Sequence, residues 1–444
     1  RIEEEAGARR ARRRGARPPS MFFPDLRRLA ALGRRPATRA AAACAVAALL
    51  AACGGGGGAP AGNGPDPTAS TPGGGSSTPT SPTPATPTTP SMSTLDAVRL
   101  AQQASFGPNE ALVADIAGQG AAAWVAGQIT RTGSRYTLGG SDAVHRSSGA
   151  FCGDGADDNC WRDNFTGIPL LWEFYRNAIG QPDQLRQRVA WALQQILVVS
   201  DREVFGTYGL RNYQNRLLEL AFGNYREVLR AVTLSPVMGD YLNHVNNHYN
   251  APNENYAREL LQLFAIGTCE LQPDGSFVGG SCKPTYNNDT VRAYAYALTG
   301  WTYPAGGSAS GGCWPRGTNC RYYGGLMTAL PAFRDPAERR LLSGVTVPAG
   351  STADQALNAV LDSLMAHPSM APFIGRQLIQ HLVSSNPSPA YVQRVSQAFT
   401  AGRHTAGGQT FGQGQRGDLA ATVAAVLLDE EARGAPPRSP GARL

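Results

Sequence analysis

Apolar residues recur at helical spacing through most of the chain beyond residue 93. In "DQLRQRVAWALQQILVV", Leu185, Val189, Ala192, Leu193 and Ile196 fall at i, i+4, i+7, i+8 and i+11, which is one face of an amphipathic helix. "STLDAVRLAQQASFGP" opens on a capping-box pattern, Ser93 with Asp96, and stops at Gly107-Pro108. Ser235-Pro236 reads as the N-cap and first position of another helix. "DTVRAYAYALTGW" predicts a helix from Asp289 to Gly300, and "APFIGRQLIQHLV", "PAYVQRVSQAF" and "GDLAATVAAVLLDEEAR" predict three more towards the C-terminus. Strand signals are confined to one hairpin, "CELQPDGSFVGGSC", where Pro273-Asp274-Gly275 turns the chain. No internal repeat is present. The expected fold is all-α: a single large, mainly helical domain over 94–435, with a small hairpin and irregular loops.

The N-terminal quarter has a different pattern. From Met21 a positive segment precedes an apolar stretch, Ala40 to Ala52, too short to span a bilayer as a mature helix. It ends in Leu50-Ala51-Ala52-Cys53, which resembles the lipobox of bacterial lipoproteins. That implies a signal peptide over 21–52, cleavage before Cys53 and acylation of that residue, hence membrane attachment through lipid. Residues 1–20 lie upstream of a plausible start methionine and read as untranslated or disordered. Residues 53–93 are Gly, Pro, Ser and Thr almost throughout, a composition that cannot bury a core and suits a tether; 436–444 reads as a disordered tail.

Charge changes meaning once this segment is separated. Twelve of the 40 basic residues but only four of the 33 acids lie in residues 1–40, which leaves 28 basic against 29 acidic side chains. The basic excess belongs to the export signal, and the near-neutral remainder gives no reason to expect a nucleic-acid partner. Of the eight cysteines, Cys44 leaves with the signal and Cys53 takes lipid. The other six form close pairs in sequence, Cys152 with Cys160, Cys269 with Cys282 and Cys313 with Cys320. Of the fifteen possible connectivities, neighbour pairing is the simplest, and it fits an exported protein. No CxxC spacing points to redox or zinc chemistry.

The densest polar segment is "PNENYARELLQLF", residues 252–264. Asn253 suits an N-cap, Glu254 suits the first turn, and Glu254–Arg258, Asn255–Glu259 and Arg258–Gln262 are i, i+4 pairs. Its polar groups fall on more than one side of an otherwise apolar helix, so some must be buried and partnered. A structural network is favoured over catalysis. Upstream, Asp240, His244 and His248 stand at i, i+4 and i+8, a spacing that suits a metal if the helix runs that far; no HExxH accompanies it, and structural histidines are favoured. Asp154, Asp157, Asp158 and Asn159 in "CGDGADDNC" lack EF-hand order and read as a solvated loop. Trp161, Trp172, Trp191 and Trp301 have the chemistry to stack on sugars, yet Trp191 falls among helix-core positions and most of the four read as packing residues. No nucleotide fingerprint or nucleophile elbow occurs, and no cofactor is expected.

Taken together, "LAQQASFGP", "DQLRQRVAWALQQILVVSD", "SPVMGDYLNHVNN", "PNENYARELLQLFAIG", "YNNDTVRAYAYALTGW" and "PFIGRQLIQHLV" resemble, in order, the bacterial domain-of-unknown-function 1800 proteins over 94–435. The resemblance implies a mostly helical envelope protein, often encoded beside a sulfatase-like exported partner. It brings no established catalytic residues. It directs attention to Asn246, Asn247, Asn253, Glu254, Asn255, Arg258, Glu259, Thr299, Gly300 and Trp301; His244 and His248 fall outside its pattern. The expectation is a lipid-anchored cell-envelope protein, on the periplasmic face or outer surface. It would act with such a partner on an envelope or extracellular polymer, with Glu254 or Glu259 as acid/base carboxylates and Arg258 as anion clamp if it is an enzyme. In that reading Asn246, Asn247, Asn253, Asn255 and Trp301 are binding positions. The alternative is a non-catalytic scaffold or binding protein that holds a partner at the membrane.

Overall fold

Helices begin where the caps and apolar spacing place them. Ser93 Oγ accepts from the Asp96 N–H at 3.2 Å and starts α1 (Thr94–Ala104). The first half continues with α2 (Glu110–Gln119), α3 (Ala121–Thr130), the short α4 (Ser148–Phe151) and α5 (Cys160–Phe165), α6 (Ile168–Gly180), α7 (Gln184–Ile196) and α8 (Thr207–Leu220). All five residues of the predicted α7 stripe are buried. The middle holds α9 (Tyr225–Thr233), α10 (Pro236–Tyr241), α11 (Asn255–Gln262) and α12 (Asn288–Ala297). The last group is α13 (Ala353–Ala366), α14 (Met370–Leu382), α15 (Pro389–Ala401), α16 (Leu419–Leu428) and α17 (Glu430–Arg433). The computed structural model describes residues 92–434 apart from Ser147 and Gly311. The upstream residues 1–20, the expected export signal over 21–52, Cys53, the expected tether up to Ser91 and the expected tail 436–444 lie outside the described residues.

The fold is mainly all-α. α16 is apolar all round, which is the pattern of a helix enclosed by others; every residue from Leu419 to Leu427 is buried, and it packs on α3, α14 and α15. The core around it takes several whole tyrosines, and each hydroxyl reaches a partner. Tyr225 donates to the Phe264 carbonyl at 2.8 Å, Tyr213 to Leu197 at 2.6 Å and Tyr391 to Val426 at 2.5 Å.

Strand structure differs from the expectation. Among the described residues there are three two-stranded antiparallel sheets: β1 (Trp301–Thr302) with β2 (Thr328–Ala329), β3 (Arg339–Arg340) with β4 (Thr346–Val347), and β5 (His404–Ala406) with β6 (Gln409–Phe411). Two or three residues are too few for an alternating pattern to register in sequence. The predicted hairpin is reduced to two bridges, Cys269 with Pro284 and Leu271 with Phe277, around a turn in which the Gln272 N–H reaches the Ser276 carbonyl at 2.8 Å. The disulfides are Cys152–Cys160, Cys269–Cys282 and Cys313–Cys320, with Cα separations of 5.6, 5.0 and 4.8 Å.

Candidate functional site

The signature segment is held by a loop that the helix pattern does not reveal. α10 ends at Tyr241, and the chain then reverses through Asn243 and Asn246, both in the left-handed region at φ 56° and 57°. Asparagine is the non-glycine residue that tolerates this best. Asn247 is buried and uses its whole amide on one backbone position: Oδ1 accepts from the Asn253 N–H at 2.8 Å and Nδ2 donates to the Asn253 carbonyl at 3.1 Å. Asn253 Oδ1 accepts from the Asn255 N–H at 2.9 Å, and Asn255 Nδ2 donates to Asn243 Oδ1 at 2.8 Å. The loop is tied to β1 by the Asn246 N–H on the Trp301 carbonyl (2.8 Å) and the Gly300 N–H on the Asn247 carbonyl (3.1 Å). Asn246, Asn247, Asn253, Asn255 and Trp301 are thus brought together, as a backbone knot. Trp301 is buried in the core, not presented for stacking.

The carboxylates do not converge. Helix α11 starts one residue later than expected, with Glu254 rather than Asn253 at the N-cap position. Glu254 pairs with Arg258 at 3.1 Å and with Arg292 at 3.7 Å on the surface, where such pairs contribute little. Glu259 points elsewhere: it is half-buried, and burial raises its pKa against the opposing charge of Arg258. The expected pairs from Asn255 to Glu259 and from Arg258 to Gln262 give way to Asn255–Asn243 and to Tyr286, whose hydroxyl donates to Gln262 Oε1 at 3.1 Å. None of Glu254, Arg258 and Glu259 lines either cavity described below.

The metal spacing also dissolves. Because α10 stops at Tyr241, Asp240, His244 and His248 share no helical face. His244 is buried against the Tyr256 ring at 4.7 Å, and burial pushes its pKa down to about 3. His248 Nδ1 accepts from the Asn250 N–H at 3.0 Å while its ring packs on Tyr249 and Phe333. Among the described residues no three His, Cys, Asp or Glu side chains are grouped to hold a metal. Asp154, Asp157 and Asp158 are exposed in their disulfide loop.

Asp240 instead anchors a cluster that the sequence did not reveal. Its two oxygens accept the phenolic O–H of Tyr303 and of Tyr323, and Arg321 Nε stands 3.8 Å away. Burial first, and then the charge of Asp240, drives both phenol pKa values well above the usual range, so both remain donors. His145 stacks on Tyr323 at 3.7 Å, and its Nε2 accepts from the Gly209 N–H at 3.0 Å, which assigns the proton to Nδ1. Burial holds this imidazole neutral, with its pKa lowered to about 3. Tyr323 also lines a cavity of about 290 Å³, with Tyr208, Asn212, Arg216, Glu219 and Ser235. Within it Glu219 pairs with both Arg135 at 2.5 Å and Arg216 at 2.8 Å. A second, shallower cavity of about 690 Å³ lies between the Asp274 turn and the start of α15. The residues between β1 and β2 carry no period, which hid Tyr303, Arg321 and Tyr323. Their one sequence signal is the Cys313–Cys320 pair, which braces the loop immediately before Arg321.

These features define a helical, three-disulfide domain of an oxidising, extracytoplasmic compartment. Among the described residues no helix is long and apolar enough to cross a membrane. The chain belongs to the family of proteins of unknown function designated DUF1800, which it matches over residues 99–443. Neither curated proteins nor solved structures provide a match.

Proposed function

We propose that the chain is a lipid-anchored, non-catalytic binding protein of the cell envelope, which holds a sulfatase-like exported partner near the membrane. One observation carries this reading: the asparagines of the signature segment, Asn253 and Asn255, are spent on the loop that precedes it, chiefly through the Asn247 clamp on Asn253. Glu254 and Arg258 remain a surface pair that faces no cavity described here. In cells, the chain and its partner are expected in the membrane fraction, with the retention of both weakened by Cys53→Ser. Glu254→Gln is expected to leave partner retention and any polymer hydrolysis unchanged. Loss of hydrolysis in a folded Glu254→Gln protein would overturn the reading.

A second reading, direct action on an envelope or extracellular polymer, is favoured by the Asp240 cluster beside the 290 Å³ cavity. Of that cluster Tyr323 reaches the cavity wall, where Tyr208, Asn212, Arg216, Glu219 and Ser235 supply donors and acceptors for a hydroxyl-rich ligand. Under this reading Asp240→Asn abolishes oligosaccharide binding with the thermal midpoint held; unchanged binding removes it.

A further inference from the structure

Helix α6 is apolar on its outer side as well as its inner one. Its core-facing side carries Pro169 and Leu170 together with Glu173 and Asn177, the last two fully enclosed. Glu173 accepts from the N–H groups of Thr137 (2.5 Å) and Leu138 (2.6 Å) and from the Thr137 hydroxyl (2.8 Å), while Asn177 Nδ2 donates to the Arg135 carbonyl at 3.1 Å. Its outer side carries Ile168, Leu171, Trp172, Tyr175 and Ile179, at i, i+3, i+4, i+7 and i+11. These five are exposed by between 39% for Ile168 and 85% for Ile179. Trp161, just upstream in α5, is exposed as well, and Arg162 covers the Trp172 ring at 4.9 Å. The buried carboxylate of Glu173 is satisfied by the Thr137–Leu138 segment and by Arg176 at the flank of the helix (2.5 Å), and opposite it a continuous apolar stripe marks a face made to meet an apolar phase.

We infer that the outer face of α6 lies in the interface of a lipid bilayer, with the helix parallel to the membrane plane. Aliphatic side chains flanked by tryptophan and tyrosine are the composition that this interface takes. The chain outside the described residues supports that occupant. Residues 54–91 contain no Leu, Ile, Val, Phe, Trp, Tyr or Met, so the tether has nothing with which to cover the stripe. If Cys53 is acylated, 38 residues of this composition keep the domain on average within roughly 35 Å of the bilayer. That last step rests on the lipid-anchored reading above. Asp154, Asp157 and Asp158 stand exposed in the loop that leads into α5, so attraction to anionic headgroups is not the driving force, and adsorption is expected to be insensitive to salt.

The test uses the full chain carrying Cys53→Ser, so that no acyl chain contributes, with vesicles of phosphatidylcholine and phosphatidylethanolamine. Co-sedimentation at millimolar lipid is expected, with a blue shift of tryptophan emission and no loss in high salt. Adding Leu171→Asp and Ile179→Asp, both at exposed positions, is expected to cut the bound fraction at least tenfold with the thermal midpoint kept. Absence of vesicle binding, or binding that survives the two aspartates, overturns the inference. So does a stripe that the same substitutions disable only in self-association or partner capture, which makes it a protein interface. The difference in membrane retention between wild-type and Cys53→Ser protein in cells reports the lipid anchor, and vesicle binding by the Cys53→Ser chain reports α6, so the two ideas fail separately.

Discussion

Asn247 spends both halves of its amide on the backbone of Asn253, in a site nearly closed to water. Removing the amide leaves a backbone N–H and a carbonyl without partners, so Asn247→Ala is expected to cost about 1–3 kcal/mol. Glu254→Gln, which removes only a surface charge pair, is expected to stay within about 0.5 kcal/mol. Chemical denaturation of the two variants checks the order, and a larger loss from Glu254→Gln would mean that the carboxylate, not the amide, closes the loop. Buried histidines supply a second test at this scale. His244 and His145 have folded pKa values near 3, against 6.5 in an unfolded chain. Above pH 6.5 both states are neutral and the full stability is present. As pH falls from 6.5 towards 3 the unfolded chain takes up protons that the folded one refuses, so stability drops by about 1.4 kcal/mol per pH unit for each histidine. The denaturation midpoint should therefore fall between pH 7.5 and pH 4.5, and His244→Phe, which keeps a ring against Tyr256, should flatten that fall. Parallel profiles for the two proteins would show that His244 is not held neutral.

At the scale of elements, the Cys269–Cys282 loop is short of ladder hydrogen bonds and relies on its staple. It offers two bridges and a turn, plus the Leu271 N–H on Ser369 Oγ at 3.0 Å, which docks it beside α14. The disulfide closes a separation of 13 residues, for which chain entropy gives a stabilisation of about 3 kcal/mol. The double variant Cys269→Ser, Cys282→Ser should lose about that much, measured by urea unfolding. A loss under about 1 kcal/mol would mean that the docking onto α14 suffices. What was legible in the sequence follows the same division between local and distant causes. α1, α7, α14, α15 and α16 announce themselves because caps and apolar spacing are local signals. β1 and β2 were hidden because two-residue strands with partners 26 and 28 residues apart leave no pattern. The i, i+4, i+8 spacing of Asp240, His244 and His248 misled because two left-handed asparagines break the helix before it can use that spacing. The expectation that most of the four tryptophans pack inside holds for Trp301 alone, since Trp161, Trp172 and Trp191 are exposed. For Trp172 the reason is that α6 has apolar residues on its outer side, and period alone cannot say which side faces in. Of the candidate site, the asparagines were legible as positions but not as a clamp, since the clamp depends on the loop conformation.

Across the whole molecule, the two ends of the described domain close on each other. Arg433, in the four-residue α17, sends Nη1 to Asp96 Oδ1 at 3.2 Å and Nη2 to Gln103 Oε1, both on α1. Arg99 returns a bond to the Arg433 carbonyl at 2.5 Å. α17 is itself fixed by Asp429, which caps it and takes a bidentate pair from Arg394 of α15 at 2.7 and 2.8 Å. The first helix after the tether is therefore latched by the last, with the latch mostly out of water: only 13% of the Arg433 side chain is exposed. Any pull transmitted through residues 54–91 would act first on α1, so in the proposed anchored protein this latch is where a load on the tether meets the fold. Removing one partner of an enclosed ion pair costs more than the pair contributes, because the other charge is left behind. Asp96 keeps some exposure, so the expected loss for Arg433→Ala is about 2 kcal/mol rather than the larger figure for a fully buried pair. The location of the loss is the sharper expectation. Amides of α1 should exchange with solvent faster in the variant, while those of α14, joined to the rest of the core, should exchange through global opening as before. Hydrogen exchange by mass spectrometry reads both regions at once. Unchanged protection of α1 would mean that its buried face, Ala97, Leu100, Ala101 and Ala104, holds the helix without the latch.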